Sequence, residues 1–64
     1  MINPQLILAM AEYLDASEAL ADATEDLIKA HAAGLSGDYS QFEEVAAIRL
    51  KVYRLARHNW ENLQ

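Results

Sequence analysis

Cysteine is absent, and proline and glycine are nearly so, with one and two copies in 64 residues. Without cysteine there is no disulfide to staple a small fold. His31 and His58 are the only imidazoles, too few for a convincing structural metal site. A chain this short buries only about 60% of the surface that its unfolded form exposes. Of the usual remedies, oligomerisation is the one left.

Strand-forming patterns are missing too. β-Branched and aromatic residues are few and nowhere alternate with period two. Long apolar runs are absent: the longest covers residues 6–11, and Glu12 and Asp15 follow at once. That excludes a membrane span, and no basic leader precedes it. The expectation is a cytoplasmic protein.

What is present is alanine, interspersed charge and helical periodicity. Asn3 is a favoured N-cap, and Pro4 fits the first helical position, where its missing N–H costs nothing. Nothing breaks the helix from there to Ala33, and Gly34 suits a left-handed C-cap. This predicts a rod about 45 Å long.

With Leu6 at heptad position d, that position holds Leu6, Tyr13, Leu20 and Leu27. Position e holds Ile7, Leu14, Ala21 and Ile28, and g is alanine four times, at Ala9, Ala16, Ala23 and Ala30. Position a carries Met10, Ser17, Thr24 and His31, while every charged residue falls at b, c or f. The apolar arc spans about 160°, wider than one neighbour can cover. The alanine edge invites one closely packed helix, and the bulkier Ile7–Leu14–Ile28 edge a second.

A turn over residues 34–38 leads to a second helix over about 39–62. Asp38 with Gln41, or Ser40 with Glu43, has capping-box spacing. Its apolar arc holds Phe42, Val45, Ile48, Val52, Leu55, Ala56 and Leu63, widened by Ala46, Tyr53 and Trp60. So short a connection makes the helices antiparallel. The predicted fold is therefore all-α: one domain over residues 1–64, a helical hairpin of two long antiparallel helices that dimerises into a four-helix bundle. Leu6, Ile7, Met10, Tyr13, Leu14, Leu20, Leu27 and Ile28, with Phe42, Val45, Ile48, Val52 and Leu55, form the expected core and dimer surface.

Several residues sit oddly in this pattern. Arg49 falls inside the apolar arc: either its stem packs while its head reaches out or to an acid of the first helix, or it sets register in a polar layer with Ser17, Thr24 and His31. His31, in the last turn, suits the helix dipole. Glu18–Asp22 and Asp22–Asp26 are like-charge pairs at i,i+4, so the acidic side is either a solvated exterior or a docking strip for a basic partner. Leu50, Tyr53, Arg57 and Trp60, with Arg54 beside them, lie on one stripe of residue types enriched in binding hot spots; the plainer reading is that Tyr53 and Trp60 extend the core and Arg57 pairs with Glu61.

No catalytic constellation, phosphate loop or cofactor motif is present, so no enzyme, cofactor, metal or small-molecule substrate is expected. Net charge is −5, with seven acids against Lys29 in residues 1–38 and a mildly basic remainder, which disfavours nucleic acid as a partner. In size and plan the chain is similar to the Rop family of plasmid copy-number regulators, helical hairpins that dimerise into four-helix bundles and bind RNA. That likeness is architectural and involves no shared motif. It implies an RNA-binding alternative through Lys51, Arg54, Arg57 and His58. The primary expectation is a small homodimeric interaction module that regulates, bridges or inhibits a larger protein, of the kind phages and mobile elements encode; a structural subunit of an assembly is the third.

Overall fold

The computed structural model describes residues 3–34 and 39–64. Two helices, α1 over Pro4–Ala32 and α2 over Ser40–Asn62, pack against each other, with no strand among the described residues. Asn3 caps α1 through its side-chain oxygen, which accepts from the Gln5 N–H at 3.0 Å. At the other end Gly34 adopts φ 64° and donates its N–H to the His31 carbonyl at 3.1 Å. α2 begins differently from the capping-box expectation. Tyr39 holds the cap position without a side-chain cap bond, and Ser40 is the first helical residue. Asp38 and the rest of residues 35–38 lie outside the described residues.

The helices run antiparallel, as contacts of Tyr13 with Tyr53, Ala19 with Arg49 and His31 with Tyr39 require. Their seam follows a three-four spacing on both sides. On α1 it alternates bulk with alanine: Leu6, Ala9, Tyr13, Ala16, Leu20, Ala23, Leu27, Ala30. On α2 it takes Ala46, Arg49, Tyr53, Ala56, Trp60 and Leu63. Such spacing keeps two helices in register at a shallow crossing of about 20°. The alanine edge of α1 is thus where α2 packs.

What the seam buries is small. Among the described residues, Ala9, Ala16, Ala23 and Ala30 are the buried hydrophobics, and no large side chain is fully buried. Ten large hydrophobics among the described residues remain exposed, from Phe42 at 37% to Leu55 at 65%. The molecule is a two-helix layer with Cα extents of 54 × 14 × 12 Å and a radius of gyration of 15.1 Å, against about 11 Å for a compact chain of this length. Its accessible surface is 5046 Å² for 7.2 kDa, whereas a folded monomer of that mass exposes about 4,100 Å². Roughly 900 Å² is surplus.

Two stability outcomes follow. Ala23→Leu should cost about 1–3 kcal/mol by forcing the helices apart, while Ala11→Leu, on the exposed side of α1, should stay within about 0.5 kcal/mol; urea unfolding followed by circular dichroism reads both. Gly34→Ala should cost about 1 kcal/mol. Space around Gly34 is open, so that cost is purely conformational.

Candidate interaction surfaces

The stripe Leu50–Tyr53–Arg54–Arg57–Trp60 divides in the folded hairpin. Tyr53 and Trp60 turn into the seam and are half-buried, as is Leu50, while Arg54 and Arg57 stay exposed. Tyr13 meets both rings, with centroids 5.4 Å from Tyr53 and 5.5 Å from Trp60, each pair tilted. The Tyr13 and Tyr53 hydroxyls lie 3.3 Å apart. Arg57 sits over the Tyr53 ring at 5.9 Å and pairs with Glu61 at 3.6 Å. Trp60 Nε1 is buried without a hydrogen-bond partner among the described residues, a cost of about 1–3 kcal/mol. This aromatic cluster closes the end of the hairpin remote from the turn.

Its hydroxyl pair has a pH consequence. The hydrogen bond with Tyr53, followed by desolvation, holds the Tyr13 phenol above its ordinary value of 10.0. The contact thus favours the neutral form of Tyr13.

The four residues considered for a polar layer do not meet. Arg49 Nη1 donates to the Ala19 carbonyl at 2.9 Å, so its head crosses the seam to the α1 backbone. Thr24 Oγ1 donates to the Leu20 carbonyl within its own helix at 2.8 Å. His31 stacks on Tyr39 with centroids 4.0 Å apart. Ser17 is half-buried beside the aromatic cluster. Arg49 is tolerated in the seam because it faces alanine and finds an acceptor for its charge.

Most of the exposed hydrophobics fall into two stripes on opposite faces, while Leu8 lies beside Glu12 at the start of the acidic row. On α1, Ile7, Met10, Leu14 and Ile28 flank the d side of the seam. A groove of about 220 Å³ there is lined by Met10, Tyr13, Leu14, Ser17 and Trp60. On α2, Val45, Ile48, Val52 and Leu55 flank the other side. The groove there, of about 570 Å³, combines Val52, Leu55 and Ala56 of α2 with Glu12, Asp15 and Ala19 of α1. We call these the Met10 face and the Val52 face. The Met10 face sets an apolar α1 beside a mixed α2 strip of Glu43, Leu50 and Arg57. The Val52 face sets an apolar α2 beside an acidic α1.

Lys51, Arg54 and His58 lie on the outer side of α2, where His58 Nε2 and Asn62 Nδ2 are 3.1 Å apart. Among the described residues no group of three or more His, Asp or Glu could hold a metal ion. Among the described residues no helix is long and apolar enough to cross a membrane. Compared with known proteins, the chain matches no family model, no curated protein and no solved structure.

Sequence periodicity marked the α1 edge correctly as a helix-packing line, but it did not separate the two sides of the broad α2 arc. The signal was the three-four ladder 46–49–53–56–60–63. Arg49 hid it, since a ladder with a charge at its centre looks less like a seam than the Val/Ile ladder beside it.

The Tyr13 shift predicts an alkaline effect. A phenol whose folded value is raised stabilises the fold fully below pH 10, and that contribution fades as pH climbs through the raised value. Stability should therefore fall as pH rises above 10, and Tyr13→Phe should remove that component. Thermal unfolding monitored by circular dichroism across this range, with tyrosinate absorbance alongside, checks it.

Proposed function

We propose that this chain is a non-enzymatic protein–protein interaction module, a homodimer that engages a larger protein as regulator, adaptor or inhibitor. One observation carries the reading: a two-helix layer exposes ten large hydrophobics among the described residues and about 900 Å² more surface than its mass warrants. A stable interface hides about 800 Å² per partner, so the surplus is the size of one such interface. Monomers rarely leave contiguous apolar surface of this extent in water.

The two faces differ in their fitness for self-pairing. Two Val52 faces paired about a two-fold axis across the helices would oppose Glu12, Asp15, Asp22 and Asp26 to the same acids of the second copy. Two Met10 faces oppose apolar stripe to apolar stripe. A two-fold axis through Leu50, across the helices, sets α1 antiparallel to its counterpart. It also brings Glu43, one heptad before Leu50, toward Arg57 of the second copy, one heptad after. Self-pairing through the Met10 face completes a four-helix bundle and leaves the Val52 face outward on both sides.

An RNA-binding reading has less support, since the chain carries a net charge of −5. A structural-subunit reading gains something from the opposed stripes, because a Met10 face stacked on a Val52 face repeats without closing.

Sedimentation equilibrium tests these readings together. The wild-type chain should run as twice its 7.2 kDa mass. Leu14→Asp should weaken the dimer by about a hundredfold or more, the burial of an unpaired carboxylate, whereas Val52→Asp should leave the mass unchanged. A helical wild-type monomer at millimolar concentration would refute the dimer. Mass growing with concentration beyond two copies would favour the structural subunit.

A further inference from the structure

We infer that the Val52 face is a docking groove for a basic amphipathic helix of a second protein. The inference deepens the interaction-module reading and rests on it. Three openings, of about 220, 570 and 390 Å³, follow one another along this side of the hairpin. Their floor is alanine: Ala9, Ala16, Ala23 and Ala56 contribute to it. With floor side chains that small, a third helix can sit low between the other two.

The walls specify its chemistry. On α2, Val45, Ile48, Val52 and Leu55 repeat at three-four spacing, and Phe42 closes the end near the turn. That ladder matches the apolar stripe of a helix laid in a groove. On α1, Glu12, Asp15, Asp22 and Asp26 repeat at the same spacing, with Ala19 between them. None of the four has an ion-pair partner among the described residues. Two cations touch this side: Lys29 beyond Asp26, and Arg49, whose guanidinium is held by the Ala19 carbonyl. Carboxylates still outnumber them. A helix whose apolar stripe meets α2 must turn its flank to this acidic wall, and lysine or arginine on that flank makes the complementary surface. The acidic stretch from Glu12 to Asp26 covers about 21 Å, some four turns of partner helix.

A second copy does not fit this description. α1 carries a single cation, Lys29, and its apolar arc is flanked by acids. On α2, Lys51 and Arg54 are cations without an ion pair among the described residues, but they span a single turn, and Glu44 stands one heptad before Lys51. That is too short a row to match an acidic wall four turns long.

The probe is a designed helical peptide of about 18 residues, leucine on one stripe and lysine on the adjacent one, compared with its glutamate-for-lysine counterpart by fluorescence anisotropy. The lysine peptide should bind at micromolar concentration, weaken as salt rises, and outcompete the glutamate peptide. Asp15→Lys with Asp22→Lys should weaken binding by about tenfold or more. Glu18→Lys with Glu25→Lys, the same charge change on the outer edge of α1, should alter it by less than about twofold. Equal losses in both double variants would reduce the effect to net charge and overturn the groove, as would absence of binding. If Val52→Lys dissociated the self-associated form, the occupant would be a second copy and the inference would fall. Sedimentation of the same samples separates these failures from failure of the dimer itself.

Discussion

Everything in this hairpin depends on how closely two helix backbones approach along a line of alanines. Ala9, Ala16, Ala23 and Ala30 are the buried hydrophobic residues, and each lets α2 settle against α1 where a larger side chain would hold it away. Close approach favours dispersion contact along the whole seam. It also limits what the seam can remove from water. An alanine methyl is worth about 0.8 kcal/mol of burial, so even with half-buried Leu6, Leu20 and Leu27 the seam is poor in hydrophobic driving force relative to the cost of ordering two long helices. The large aliphatic side chains are placed elsewhere, on the flanks of both helices, where they remain exposed.

The seam settles the role of its polar members as well. Arg49 occupies a ladder position between Ala46 and Tyr53, and its charge is met by the Ala19 carbonyl and not by an acid. A charged donor on a carbonyl fixes the sliding register of α2 on α1 with little demand on side-chain geometry. At the far end Tyr13, Tyr53 and Trp60 fill the space between backbones with rings. Alanine in the middle, aromatics at the open end and Gly34 at the turn divide the work of holding the hairpin along its length.

Much of this was legible in the chain. Asn3, Pro4 and Gly34 marked the limits of α1 because each residue type answers a specific backbone need: an acceptor for orphan N–H groups, a missing donor, a positive φ. The alanine line announced a close neighbour. The orientation of α2 was not legible, for a physical reason. Val45, Ile48, Val52 and Leu55 are more hydrophobic than Ala46, Arg49 and Ala56, so burial preference alone assigns the wrong ladder to the intramolecular contact; the actual choice turns on steric fit to the alanine edge and on an acceptor for Arg49, both of which need the partner helix in place. Tyr53 and Trp60 posed the same ambiguity. As residue types they suit a hot spot or a core, and only the position of Tyr13 across the seam decides for the latter.

From the alanine seam the asymmetry of the two faces follows. Antiparallel packing through d and g of α1 places the a/e stripe of α1 on one side of the hairpin and the Val45–Ile48–Val52–Leu55 stripe of α2 on the other. Each face is therefore half apolar, and the two differ in what accompanies the apolar half. Beside Met10 and Leu14 stands a strip with Glu43 and Arg57 equally spaced about Leu50, a charge order that is its own complement under a two-fold rotation. Beside Val52 and Leu55 stand four carboxylates, an order that repels its own copy. Hydrophobicity asks both faces to be covered; electrostatics gives each a different answer. The denser row of acids beside Val52 is what favours the proposed closed dimer through the other face, with the Val52 side left outward.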